Sequence, residues 1–208
     1  MNLQRHDLVW FHPDSAYPVE LNNWLQENLP CVVTRQSQLH HPKINVALSL
    51  SADKSQFSRR SYLLDPQQII QHRRALPLLR LGELISHPRL ESLICQLEQL
   101  GLEPCLFGST SWQILTGRNY LHVGSDIDIL LQISSLEQLA ELTPLLVELE
   151  QITQRRVDAE LVFAHKYALA WREWLLPCEQ LLVKTYFAQE LLSRDVLRAM
   201  LLKSCCVL

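Results

Sequence analysis

The chain has 208 residues, 48% apolar and 20% charged, with 19 Lys plus Arg against 22 Asp plus Glu. That is enough apolar chain to bury a core without disulfide staples, and it excludes disorder throughout. A formal charge of −3 argues against a general nucleic-acid binder, and with no apolar run near the roughly 18 residues of a membrane span and no signal-peptide core at the start, a soluble cytoplasmic protein with no membrane partner is expected.

Residues 1–80 read as a small α+β unit. Leu21, Trp24 and Leu25 share one face of a short amphipathic helix over Leu21–Leu29, and Pro30 follows its last turn. Cys31–Arg35 has strand composition, and Ile44–Leu50 alternates with period two, as a half-buried strand does. His40-His41 reads as loop. The stretch Gln56–Arg60 is basic, and Arg73–Pro77 is the candidate junction to a second unit over 81–208.

In the second unit, Leu90, Leu93, Ile94, Leu97 and Leu100 form a helical stripe, with Gly101 as its C-terminal cap. Cys105–Phe107 is a short buried strand. Gly108-Ser109 turns the chain into a helix near Ser111–Thr116, stopped by Gly117. Asp126–Ile133 is a strand. Ser135–Gln151 is helical, with a break expected near Thr143-Pro144, where Thr143 would cap a fresh helix. Arg156–Phe163 is a strand, and Pro177–Leu192 is expected as a helix carrying Lys184.

The six cysteines are irregularly spaced without a Cys-x-x-Cys, so neither a zinc site nor a disulfide framework is expected. Cys205-Cys206-Val207-Leu208 spells a prenylation box, but no polybasic stretch precedes it and it reads as an apolar tail. No G-x-x-x-x-G-K-[ST] and no G-x-S-x-G occurs, which excludes P-loop and nucleophile-elbow chemistry.

The residues that carry chemistry cluster late in the chain. On a strand, Asp126 and Asp128 share a face about 7 Å apart at Cα, while Ile127 and Ile129 enter the core. Carboxylates that close raise each other's pKa unless a cation lies between them, and a hard cation such as Mg²⁺ takes oxygen ligands beside substrate phosphates. Asp158, from the next alternating strand, is the candidate third carboxylate. Gly108 and Ser109, at a helix N-terminus, offer N–H groups and a hydroxyl to phosphate. Lys184 is a candidate for added positive charge. A salt bridge is expected for Arg172 and a capping or surface role for His122. Arg59 and Arg60 are candidates for an acidic partner or for phosphates.

Gly108-Ser109, then Asp126-Ile127-Asp128, then Asp158 resembles the polymerase-β-like nucleotidyltransferase superfamily. The wording of Phe107–Gly117 and Tyr120–Leu131 resembles a narrower family within it, the malonate decarboxylase holo-acyl-carrier-protein synthases, or phosphoribosyl-dephospho-CoA transferases. Arg5–Trp10, Val157–Leu161, Ala170–Glu173 and Val183–Thr185 support it. The resemblance implies a bacterial enzyme of α/β (α+β) class, with a mixed-sheet nucleotidyltransferase fold and a smaller N-terminal domain for substrate or carrier recognition. It implies transfer of the prosthetic group from triphosphoribosyl-dephospho-CoA to a serine of the apo acyl carrier subunit of malonate decarboxylase, with release of diphosphate. It implies Asp126 and Asp128 as catalytic residues. Mg²⁺ or Mn²⁺ would be held by Asp126, Asp128 and Asp158, with Gly108, Ser109 and Lys184 binding substrate. Two other readings stand beside it: a nucleotidyltransferase that uses an NTP on another acceptor, and a non-catalytic antitoxin-like protein of the same fold.

Overall fold

The computed structural model describes residues 2–37, 41–51 and 57–204. His40, Gln56 and the Cys205–Leu208 tail lie outside the described residues. Two sheets account for the fold, which is α+β. The first contains β1 (Leu8–Phe11), β2 (Cys31–Val33), β3 (Ile44–Ser51), β4 (Phe57–Leu64) and β5 (Ile69–Arg73) in the order β4-β3-β2-β1-β5, every pairing antiparallel. The helix α1 (Val19–Gln26) lays Leu21, Trp24 and Leu25 against Val9, Phe11, Val33, Val46 and Leu48. The buried Trp24 indole donates to the Pro30 carbonyl at 2.9 Å, so its one polar group is satisfied.

The chain leaves the first sheet at Arg73 and enters the second at Leu76. The second sheet contains β6 (Leu76–Pro77), β7 (Cys105–Leu106), β8 (Ile127–Ile133), β9 (Val157–Phe163), β10 (Tyr167–Ala170), β11 (Gln180–Lys184) and β12 (Gln189–Ser193), in the order β12-β11-β10-β9-β8-β7-β6. Only β8 and β9 run parallel. A parallel pair needs a crossover, and α4 (Leu136–Thr153) supplies it. With α2 (Leu90–Gln99) and α6 (Arg194–Ser204), α4 covers one face of this sheet and buries its core there. The helix α2 ends on Gly101 at φ +74°, with Leu102 N–H bonding Leu97 O and Gly101 N–H bonding Glu98 O, a Schellman motif that satisfies its last carbonyls.

Two expectations fail. The break at Pro144 does not occur, and α4 runs through it. Pro144 sits on the exposed face, where water can take the carbonyl its ring leaves free, while Leu142, Leu146 and Leu149 are buried on both sides of it. The Ser135–Gln138 capping box fixes the start of the helix. The second correction is larger. Residues Pro177–Leu192 are not a helix but the hairpin β11–β12, preceded by the short α5 (Trp171–Leu175). Leu181 and Val183 point into the core and Leu182 is exposed, a period of two that the leucine pairs disguise. The Thr185 hydroxyl accepts from Phe187 and Ala188 N–H and closes the turn. Among the described residues no helix is long and apolar enough to cross a membrane.

The α2 stripe is the test of this packing. Leu97→Ala, at a position with no exposed surface, should destabilise the protein by about 2–5 kcal/mol. Leu79→Ala, at an exposed leucine, should stay within about 0.5 kcal/mol. Urea unfolding compares the two.

Candidate active site

Along β8 the odd-numbered isoleucines and Leu131 face the helices and are buried, while Asp128, Leu130 and Gln132 face the other way and are half-exposed. The parallel register brings Asp158 directly beside Asp128, and Glu160 beside Leu130. The crossover therefore joins two carboxylates that are far apart in sequence. Asp126 lies just before β8 and bears on Asp128 electrostatically. Burial first, then the charges of Asp158, Asp126 and Glu160, push the Asp128 carboxyl up to about 7 against an opposing hydrogen bond from Ser109 N–H.

The helix α3 (Gly108–Thr116) begins against this carboxylate. Gly108 has φ +63°, and a Cβ there would run into the Asp128 carboxylate. Only glycine allows the backbone so close. The N-cap residue Phe107 makes no side-chain cap, and Ser109 N–H donates to the Asp128 carboxylate, so the start of α3 faces the site. Trp112, on the same helix, packs with the core of the first sheet, whereas Ile114 and Leu115 pack with that of the second. Tyr120 OH donates to Ser49 O and adds a second tie between the units.

Among the described residues no group of three or more His, Cys, Asp or Glu is gathered closely enough to hold a metal ion. The neighbouring Asp128 and Asp158, with Asp126 bearing on the former, are nevertheless oxygen donors whose mutual repulsion the Ser109 N–H offsets only in part. Such a set fits Mg²⁺ or Mn²⁺, because Mg²⁺ sites commonly use one or two carboxylates and leave the remaining positions to water and phosphate.

Glu160 is 4% exposed and stands between the two units. Its Oε1 accepts from Lys184 Nζ at 2.7 Å and from Arg5 Nη2 at 3.5 Å. Burial alone pushes Glu160 up, but His6, Arg5 and Lys184 together outweigh it and hold the carboxyl well below the usual range. His6 is held down by burial, with Arg5 and Arg59 adding to the effect against Glu160, and its Nε2 lies 3.2 Å from Arg5 Nη2. A neutral His6 accepting there leaves Glu160 Oε2, 3.4 Å away, without a hydrogen bond among the described residues. The adjacent Asp7 is buried and gathers His72 at 2.7 Å and Arg74 at 3.2 Å, which fixes the segment that presents Arg5 and His6.

Three cavities meet at Arg5 and His6. The first, about 360 Å³, contains Gly108, Ser109, Asp128, Arg59 and Glu160. The second, about 570 Å³, contains Arg35, Arg59, Asn45 and Lys184. The third, about 500 Å³, contains Leu130, Val162, Lys184, Tyr186 and Phe187. Lys184 is on strand β11 and not on a helix, and its charge enters the cleft from there. Arg172 bonds Glu150 and stacks on Trp171, as a structural residue. His122 is exposed, in a turn closed by Ser125.

Glu160, Arg5 and His6 were not singled out from sequence as site residues. The signal for Glu160 was present in the alternation of β9, which puts Asp158 and Glu160 on one face. The Arg5–Trp10 segment supports the family resemblance, but nothing local points Arg5 or His6 to the site, because only tertiary folding brings the N-terminal segment to Glu160.

Two family descriptions match the chain: the phosphoribosyl-dephospho-CoA transferase MdcG N-terminal domain over residues 4–75 and the C-terminal domain over residues 73–195. A protein named phosphoribosyl-dephospho-CoA transferase from Xanthomonas campestris pv. campestris (strain 8004) is 33% identical over 207 residues, covering 93% of this chain and 95% of that protein. Proteins of the same name from Pseudomonas putida (strain GB-1) and Bradyrhizobium diazoefficiens are 30% and 28% identical, covering 89% and 91% of this chain and 91% and 90% of theirs. No solved structure matches the chain significantly.

The raised Asp128 pKa has a sign that can be checked. The folded protein holds a proton up to about pH 7 that the unfolded chain releases near pH 4. Stability of the metal-free protein therefore falls as pH rises through that window. In EDTA, Asp128→Asn should be more stable than wild type at pH 8 by about 1 kcal/mol or more. Urea titrations should show the gap closing towards pH 4; a gap constant with pH would rule out carboxylate repulsion as its source.

Proposed function

The chain belongs to the phosphoribosyl-dephospho-CoA transferase family, and we propose that it attaches the phosphoribosyl-dephospho-CoA group of triphosphoribosyl-dephospho-CoA to a serine of the apo acyl carrier subunit of malonate decarboxylase. A phosphodiester forms and diphosphate leaves. The observation that carries this reading is Gly108, packed without a side chain against Asp128, with Asp158 as the cross-strand neighbour of that aspartate. A phosphate-accepting helix start and Asp128 thus share one cavity, with Asp158 on the strand beside it, an arrangement that supports a nucleotidyltransferase-type site.

Asp126, Asp128 and Asp158 would hold Mg²⁺ or Mn²⁺, which when bound neutralises phosphate charge and makes a nearby hydroxyl more acidic. The chain's own residues do the rest. Gly108 lets the triphosphate approach the backbone, and the N–H groups that open α3 face its outer oxygens. Lys184 and Arg5, held in place by Glu160, supply positive charge beside the phosphates. Asp158 would take the serine proton as the serine oxygen bonds to the α-phosphorus. The bond from that phosphorus to the departing diphosphate breaks in the same displacement.

Intact-mass measurement of the apo carrier subunit tests the reading. Incubation with this protein, Mg²⁺ and triphosphoribosyl-dephospho-CoA should add the mass of the prosthetic group. The Asp126→Asn, Asp128→Asn double variant should add none in the same time. Absence of a gain with wild type, beside a competent positive control, would sink the assignment. Removal of divalent metal by EDTA should abolish transfer, and excess Mg²⁺ or Mn²⁺ should restore it. Transfer that persists in EDTA would exclude the metal role given to the aspartates.

A further inference from the structure

The proposed substrate carries phosphate at two separate places, a triphosphate on the ribosyl group and a diphosphate within dephospho-CoA. The aspartate cavity suits only one of them. Its carboxylates repel a second polyanion, and the α-phosphorus of the triphosphate must lie there to react. The adjoining cavity of about 570 Å³ has the opposite character. It is lined by Arg5, Arg35, Arg59 and Lys184, with no Asp or Glu among its described lining residues. Arg35 and Arg59 are exposed and form no ion pair among the described residues. Arg5 and Lys184 share the single carboxylate of Glu160, so positive charge is in surplus.

The wall of this cavity is also built rather than loose. Gln36 N–H donates to Tyr186 O at 2.8 Å and joins the two units across it. The Gln36 amide donates to Thr34 O and Asn45 O, both at 2.8 Å, and accepts from Asn45 N–H at 2.6 Å. Arg5, His6 and Arg59 line both this cavity and the aspartate cavity, so one extended ligand can run between them. We infer that the Arg5, Arg35, Arg59 and Lys184 cavity is a second phosphate subsite, which takes the diphosphate of the dephospho-CoA half while Gly108, Ser109 and the aspartates take the triphosphate half. The inference rests on the proposed function and adds to it which end of the substrate lies where.

Dephospho-CoA itself is the probe, because it carries the diphosphate and lacks the triphosphate. Isothermal titration should find that it binds wild type equally in Mg²⁺ and in EDTA, and more weakly as salt rises. Arg59→Ala and Arg35→Ala should each weaken binding about tenfold or more, with partial recovery in Arg59→Lys. Unchanged affinity in both alanine variants overturns the inference, as does binding that needs Mg²⁺, which would move the diphosphate to the aspartates. So does an Arg59→Ala effect confined to the KM for the carrier, which would make these cations a docking surface. If wild type transfers the prosthetic group but does not bind dephospho-CoA, the subsite alone fails. If it does neither, the reading beneath it fails as well.

Discussion

A carboxylate as buried as Glu160 is stable as an anion only if cations come to it. Lys184 arrives from β11 of the second sheet, and Arg5 arrives from the segment that precedes the first, with the neutral His6 beside it. The position of the N-terminal segment therefore follows from the electrostatics of one strand residue. Asp7 repeats the arrangement one step along, drawing His72 and Arg74 to the same segment. The three cavities of the cleft share Arg5 and His6 because that segment is pinned between them.

The carboxylate side of the cleft depends on a different constraint. One parallel strand pair sits in an otherwise antiparallel sheet, and its register aligns Asp128 with Asp158. The helices take the isoleucine face of β8, which leaves the polar face to the cleft. Repulsion among these aspartates is compatible with a stable fold because the core beneath them is deep, and because the charge can be relieved by a proton or by a bound cation. Gly108 completes the arrangement by letting the start of α3 touch the carboxylate. The two cores are joined through the same helix, by Trp112 on one side and Ile114 and Leu115 on the other, so the phosphate-facing end of α3 is held by the packing of both units.

Periodicity was readable wherever one face of an element was buried and the other was wet. The β8 alternation, the α2 stripe and the Gly101 cap fall in this class, as does the strand at Ile44. It misled where apolar residues stood on both faces. In 177–192, the pairs Leu181-Leu182 and Leu191-Leu192 satisfy a helical and a strand period equally well. Edge pairing with β10 then decides for the hairpin, and this moves Lys184 from a helix to a strand. Pro144 misled for the opposite reason. Its local cost is real, but the core contacts of α4 on either side exceed it, a tertiary override that no local rule contains.

Sequence alone determined that the chain has a core, that Asp126 and Asp128 fall on the face opposite the isoleucines, and that a Gly-Ser helix start precedes them. These follow from side-chain chemistry and fixed backbone periods, which are local properties. Tertiary structure decided which strand stands next to which, and so that Asp158 is the neighbour of Asp128. It also decided that Glu160 is buried and that Arg5, His6 and Lys184 serve it. Those outcomes depend on strand register and on the crossover path, and burial of a charge has no meaning until the surfaces that exclude water have come together.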